Sequence, residues 1–224
     1  MALPVIPELG AIPELQFSIE GAEALTRAAV PTVALRLAVE RTGGSPVRSA
    51  TVAVRVDIAP ARRVYDAETE ARLVELFGEP ARWGSTLHGL GWARATVLVG
   101  PFDDHTTVEL PLPCSYDFEV AAAKYLHALR DGEIPLDLMF SGSVLYQVGD
   151  RIQAAPIPWD REATYRLPVR VWREAMDTAF PDSAWLRLQR ETFDRLYAYR
   201  ARRALPSWEE TIEALLGEEP PWTR

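Results

Sequence analysis

Residues 33–39, VALRLAV, and residues 51–58, TVAVRVDI, decide the fold of this chain. In both stretches large aliphatic residues alternate strictly with small, polar or charged ones, so every second side chain of a strand would face one side. The segment between them, residues 42–46 (TGGSP), is a cluster of turn-forming residues. The pattern predicts an antiparallel hairpin with a single buried face, which is typical of an antiparallel sheet rather than of a βαβ unit.

Further strands and helices are expected along the rest of the chain. Short apolar stretches bounded by turn residues predict strands at residues 95–99, 106–112, 134–147 and 151–158. Apolar residues at helical spacing predict helices near residues 66–77 and 117–130 and, beyond residue 158, at 169–180, 185–205 and 208–216. Because strands precede most of the helices, we expect an α+β fold, with an antiparallel β-sandwich-like domain, two connecting helices and a C-terminal helical cap.

These segments divide the chain into four regions. They are an extended Pro-rich arm at residues 1–14, an antiparallel β-rich domain at 15–158, a helical cap packed on it at 159–217, and a tail at 218–224. The arm repeats IPEL at residues 6–9 and 12–15, and its prolines favour extended backbone. Packing across its own domain, packing onto a neighbour and a partly disordered leader are all compatible with this composition.

The chain has 224 residues, a formal net charge of −8 and a single cysteine. An acidic chain without a basic stripe is not typical of nucleic-acid binding or of attachment to an anionic membrane. One cysteine precludes an internal disulfide, which fits a reducing compartment. Neither a signal-peptide pattern nor an apolar stretch of transmembrane length is present, so we expect a cytoplasmic protein without nucleic-acid partners and without a membrane span.

No residue pattern predicts catalysis, a metal site or a cofactor. Cys114 would need a lowered thiol pKa and a histidine base to act as a nucleophile, and none of the three histidines stands at a recognisable spacing from it. We therefore expect Cys114 to be a small buried side chain, with a cysteine-dependent enzyme as the alternative. Residues 103–105 (DDH) are ligand types, but three adjacent ligands cannot close a tetrahedral shell alone, which predicts a solvated loop tip.

Five of the seven tryptophans lie in the last third of the chain. Trp172, Trp185 and Trp208 fall in or at the start of predicted helices, so we expect them to pack in the helical cap. Trp159 lies in a proline-flanked turn, and Trp222 lies in the tail. Because tryptophan is enriched at binding hot spots, Trp159 and Trp222 are the predicted partner-binding residues.

The last two predicted helices carry opposite charges. Arginines dominate residues 187–203, and glutamates dominate residues 209–219. A basic helix alone would indicate RNA binding, but the acidic neighbour favours packing of the two oppositely charged helices on each other.

Four stretches resemble an uncharacterised family of actinobacterial proteins that is classed only as a domain of unknown function. They are residues 76–84 (LFGEPARWG), 111–126 (PLPCSYDFEVAAAKYL), 140–144 (FSGSV) and the run from Pro158-Trp159-Asp160 to Leu188. Members of that family are often encoded beside the high-affinity uptake NiFe-hydrogenases of actinobacteria, so the resemblance implies a hydrogenase-associated accessory or partner protein. It brings no catalytic residues, and the chain lacks the cysteine clusters of Fe–S carriers and metallochaperones.

Together, the residues and the resemblance predict a non-catalytic binding or assembly accessory protein. Its partner is expected to be another protein, with hydrogenase subunits as the partner that the resemblance implies. A chaperone-like binder of unfolded clients and an enzyme that uses Cys114 are the two alternatives. A homo-oligomer is also compatible with the sequence.

Overall fold

In the computed structural model the described residues are 11–114, 120–181 and 188–217. The chain forms two compact units, Met1–Asp182 and Ser183–Arg224. The strands described in the first unit are β1 (Glu14–Ala24), β2 (Thr32–Gly43), β3 (Val47–Ile58), β4 (Leu90–Val99), β5 (His105–Pro113), β6 (Glu133–Val148), β7 (Arg151–Ile157) and β8 (Glu162–Pro168). Its described α-helices are α1 (Ala67–Phe77), α2 (Trp83–Thr86), α3 (Val120–Ala128) and α4 (Val169–Ala179).

The strands form two antiparallel sheets. One sheet has the order β1-β2-β5, and the other has the order β4-β3-β6-β7. β6 pairs with β3 along one edge, and it is long enough to pair with two strands along the other, with β8 at its first half and β7 at its second. The inner faces of the sheets supply the core, where Phe17 of β1 stacks on Phe140 of β6 with ring centroids 4.4 Å apart. The predicted α+β class with sandwich-like antiparallel sheets is thus confirmed.

The predicted hairpin between residues 33–39 and 51–58 is wrong. β2 pairs with β1 and β5, whereas β3 pairs with β4 and β6, so the two strands belong to different sheets. The turn between them carries the chain across the sandwich, and the buried faces of both strands contribute to one core. Alternation shows that a strand has one buried face. Two strands with such faces can lie side by side in one sheet, or they can lie in two sheets with their buried faces opposite each other.

Arg41 joins the two connections that cross between the sheets, from β2 to β3 and from β4 to β5. Its guanidinium donates to the Gly44 carbonyl at 2.6 Å, to the Asp103 carbonyl, and to the Asp104 carboxylate at 2.9 Å. The loop predicted at residues 103–105 therefore belongs to a sheet-to-sheet connection. There the exposed Asp104 carboxylate forms an ion pair with the mostly buried Arg41 side chain.

Two strands lie outside the predicted set. β8 pairs with the first half of β6, so the helical cap predicted for residues 159–217 is wrong at its start. β1 pairs with β2 along its whole length and places the start of the sheet at Glu14. Both strands show period-two burial, and in β8 the even-numbered residues 162–166 are the exposed ones. The density of Trp, Pro and Arg around β8 obscures this strand pattern in the sequence.

The helices of the first unit follow ordinary start signals. α1 and α3 lie within the two predicted helical regions, and Asp66 caps α1 by accepting the Thr69 backbone N–H at 2.7 Å. That hydrogen bond holds the pKa of the Asp66 carboxyl below its usual range. α4 begins directly after Pro168, as predicted, and buries Trp172 in the core. Within the described ranges, no helix has both the length and the apolar character needed to cross a membrane.

The second unit, as far as residues 188–217 describe it, is a helical hairpin. Its helices are α5 (Arg190–Arg203) and α6 (Trp208–Leu216). α5 begins at Arg190, and residues 188–189 directly before it are not helical. Trp185, the predicted start of this helix, lies outside the described residues. Ser207 caps α6, as predicted, by accepting the Glu210 backbone N–H at 3.1 Å.

The half-buried phenol of Tyr65 and the buried phenol of Tyr125 connect the loop before α1 to α3. The hydroxyl oxygens of Tyr65 and Tyr125 are 2.8 Å apart, and the Tyr65 hydroxyl also lies 2.8 Å from the Pro60 carbonyl oxygen, to which it donates. Burial raises the pKa of both phenols above the ordinary tyrosine value.

We expect the free energy of unfolding to decrease as the pH rises above about 10, the ordinary pKa of tyrosine. In the unfolded chain both phenols ionise near that pH, whereas burial keeps them protonated in the folded chain, so alkaline pH favours unfolding. The Tyr125→Phe variant should show a shallower decrease, measured by urea unfolding between about pH 8 and pH 11. Equal slopes for the variant and the wild type would contradict this assignment.

Candidate functional site

The solvent-facing side of the β4-β3-β6-β7 sheet carries most of the exposed large apolar side chains described in the first unit. Trp159 is 89 % exposed, Leu98 73 %, Ile152 67 % and Leu145 37 %. We call this side the Trp159 face. It consists of Thr51, Ala53, Thr96, Leu98, Ser141, Ser143, Leu145, Ile152, Ala154, Pro156 and Trp159.

Strand register brings these residues together. Ala53 lies directly opposite Thr96 on one side and Ser141 on the other, and Leu145 lies opposite Ala154. The small side chains in the middle leave a shallow hollow of ≈ 490 Å³, and Trp159 forms part of its wall. Leu98, Leu145 and Ile152 lie elsewhere on the same side of the sheet, so the face combines a recess walled by Trp159 with separate exposed apolar side chains. Several large exposed apolar side chains on one side of a sheet make this side the candidate binding surface of the first unit.

Trp159 is carried on an ordered turn between β7 and β8. The Arg161 backbone N–H donates to the Pro158 carbonyl at 3.3 Å, and the Phe140 N–H of β6 donates to the Arg161 carbonyl at 2.9 Å. These bonds tie the turn to the sheet beneath it. An anchor side chain on a fixed backbone loses less conformational entropy on binding than one on a free loop.

Two arginines lie directly opposite each other at one end of the hollow. Arg55 of β3 pairs in register with Arg94 of β4, and both line the hollow. Arg55 is neutralised by Asp57, whose carboxylate oxygens lie 3.0 and 2.9 Å from its Nε and Nη2. Among the described residues, Arg94 has no ion-pair partner. Because like charges directly opposite each other are unfavourable, an added carboxylate would be favoured here.

The predicted partner-binding residues have different positions in the structure. Trp159 stands on the outer face of a sheet, exposed as an interface residue must be. Trp222 lies outside the described residues, so its role stays a prediction. Leu98, Leu145 and Ile152 are not predicted from the sequence, although Leu98 interrupts the alternation of its strand by lying between two buried valines.

Cys114 lies directly after β5 with its side chain buried. Its thiol lies 3.5 Å from the Leu112 carbonyl oxygen, to which it donates, and burial raises the pKa of the thiol to about 12. His127 lies on α3 with its ring 4.9 Å from that of Trp172, and burial lowers its pKa. In the described part of the chain, no three His, Cys, Asp or Glu side chains are grouped as metal ligands.

We expect the Cys114 thiol of the folded protein to react with a maleimide at least about a hundredfold more slowly than in the denatured chain. The thiolate is the reactive form, and both its low population and its burial oppose reaction. Labelling kinetics followed by mass spectrometry, with and without guanidinium chloride, measure the two rates. Equally fast labelling of the folded protein would show an accessible, activated thiol.

The chain belongs to the family of unknown function DUF6084, whose family model matches residues 12–222. None of the curated proteins is significantly similar to it in sequence. One solved structure with a weak likeness is β-glucosidase 3B from Thermotoga neapolitana in complex with α-D-glucose, with 10 % identity and a TM-score of 0.24. The match covers 69 % of this chain and 17 % of that enzyme, and a likeness this weak carries no argument about fold or activity.

Proposed function

We propose that this member of the DUF6084 family is a non-catalytic binding or assembly accessory protein that docks a protein partner on the Trp159 face. The observation that carries the proposal is the convergence of exposed Trp159, Leu98, Ile152 and Leu145 on one side of one sheet. Tryptophan is enriched at interface hot spots, and the other exposed apolar side chains on the same side of the sheet would add buried area to the contact.

The charges of the face indicate the chemistry of the partner. The hollow is lined by small and apolar side chains, and at one end lies Arg94, which has no ion-pair partner in the described part of the chain. A partner segment that places an apolar side chain in the hollow and a carboxylate beside Arg94 would satisfy both features. We therefore propose an acidic-apolar segment of a folded protein as the docked element.

A finer proposal concerns the identity of the partner. The resemblance of residues 111–126 and 140–144 to actinobacterial proteins encoded beside NiFe-hydrogenases supports a subunit of a hydrogenase system in the cytoplasm. Gene proximity supports a shared process and not a mechanism. The docking surface and the hydrogenase identity are thus separate proposals.

The docking surface is tested by affinity purification from host cells followed by mass spectrometry. Tagged wild type is compared with Ile152→Asp, which places a charge in the Trp159 face, and with Val64→Asp as a matched control. Val64 is 93 % exposed and lies in the loop between β3 and α1. Proteins recovered by wild type and by the control, but lost with Ile152→Asp, are the expected result.

The possible outcomes separate the two proposals. The same proteins recovered with all three baits would overturn docking on the Trp159 face. A partner that is lost with Ile152→Asp but does not belong to a hydrogenase system would keep the docking surface and overturn the finer identity.

The two alternative functions receive no comparable support. A cysteine-dependent enzyme needs an accessible thiolate, whereas Cys114 is buried with a raised thiol pKa. A holdase for unfolded clients is typical of flexible, Met-rich surfaces, whereas the Trp159 face lies on hydrogen-bonded strands.

A further inference from the structure

The closed end of the α5–α6 hairpin is fixed by specific contacts. The Arg200 guanidinium donates to the Leu205 carbonyl at 3.2 Å and to the Pro206 carbonyl at 2.7 Å, and it lies 4.7 Å from the centre of the Trp208 ring. The Trp208 ring is also 5.4 Å from that of Phe193. The hairpin therefore presents its two helices in a defined arrangement.

The hairpin has almost no core of its own. In residues 188–217, only Thr211 is buried. Its exposed large apolar side chains are Phe193, Tyr197, Ile212, Leu215 and Leu216. Two short helices are marginal in isolation, because helix nucleation is costly and most helical stability comes from packing. A further helical layer over these side chains would stabilise the hairpin.

The charges of the two helices indicate what supplies that layer. α5 carries five arginines against one glutamate and one aspartate, whereas α6 carries three glutamates and no basic residue. Within residues 188–217, no ion pair joins Arg190, Arg195 or Arg202 to a glutamate of α6. A two-fold axis parallel to the helices places the basic helix of one copy against the acidic helix of the other, and in that arrangement the surface is complementary to itself.

We propose that the α5–α6 hairpin is a homodimerisation element, in which the hairpins of two copies form a four-helix bundle with α5 of one copy against α6 of the other. A hollow of ≈ 610 Å³ between the helices is lined by Phe193, Leu196, Trp208 and Ile212, with charged side chains at its rim. It receives apolar side chains of the second copy, and the arginines and glutamates pair around this apolar centre. This surface shares no residue with the Trp159 face, and the two proposals stand independently.

The mass of the full-length chain in solution tests this directly. Sedimentation equilibrium should give about twice the chain mass of 25.0 kDa, with dissociation on dilution over a roughly hundredfold range of concentration. A mass of one chain throughout that range would overturn the proposal, and so would a trimer or larger ring.

A charge exchange tests the arrangement of the helices. Glu209→Arg/Glu213→Arg makes both helices basic, and Arg190→Glu/Arg195→Glu makes α5 acidic. Each variant alone should dimerise at least about tenfold more weakly, since like charges then face each other. An equimolar mixture should recover dimers that contain one copy of each variant, detected by native mass spectrometry. Unchanged dimerisation of either variant, or a mixture without heterodimers, would contradict the proposed pairing of α5 with α6.

Discussion

Replacing Trp159 by alanine should weaken binding of the docked partner by roughly 2–4 kcal/mol, about thirtyfold to thousandfold in Kd. The indole is 89 % exposed in the free protein, so its burial against a partner would remove a large apolar area from water. The same exposure predicts almost no change in the free energy of unfolding. Isothermal titration calorimetry with the partner identified by affinity purification measures the first quantity, and urea unfolding measures the second.

Val64→Ala is the matched control for Trp159→Ala. Val64 is 93 % exposed but lies in the loop before α1, outside the Trp159 face. Its replacement should leave the affinity within about twofold of wild type, because rim and non-interface residues contribute little. Equal affinities of Trp159→Ala and wild type would remove Trp159 from the interface.

Gly142→Ala should destabilise the first unit by about 3 kcal/mol or more. Gly142 has a φ of +139°, and a Cβ atom there would lie 2.0 Å from the Thr51 carbonyl oxygen in the neighbouring strand β3. The clash is with backbone, so β6 would have to separate from β3 in the middle of the sheet. Urea unfolding followed by circular dichroism measures the loss.

The Gly149→Ala variant distinguishes the energetic cost of a left-handed backbone from the cost of the clash at Gly142. Gly149 also has a positive φ, +56°, but nothing lies within 4 Å of an added Cβ. Its replacement should cost only the roughly 1–2 kcal/mol of a left-handed alanine. Similar losses for the two variants would show that the approach of Thr51 to Gly142 is not the cause.

The sequence predicts the local elements of this fold better than their pairing. Alternation in residues 33–39 and 51–58 correctly indicates two strands, each with one face in the core, although Thr32 and Ala34 bury the other face at the start of β2. It does not distinguish two strands of one sheet from two strands that face each other across a core, because both arrangements bury the same residues. The assignment to separate sheets depends on β1, β5 and β6, which are distant in sequence.

The candidate site is predicted only in part for the same reason. A tryptophan between prolines in a turn is a local signal, and it identifies Trp159. Leu98, Leu145 and Ile152 lie on three different strands, and only the register of the sheet places them on one side. In each strand an outward-facing aliphatic residue looks like a core residue, since the sequence does not show which face is covered.

Hydroxyl-radical footprinting of the free and the partner-bound protein tests the docking surface most directly. Trp159 should be strongly oxidised in the free protein, and buried Trp172 should be oxidised little in either state. Partner binding should protect Trp159 together with Leu98 and Ile152, while Val64 keeps its reactivity. Unchanged oxidation of Trp159 in the complex, with protection elsewhere on the chain, would contradict docking on the Trp159 face.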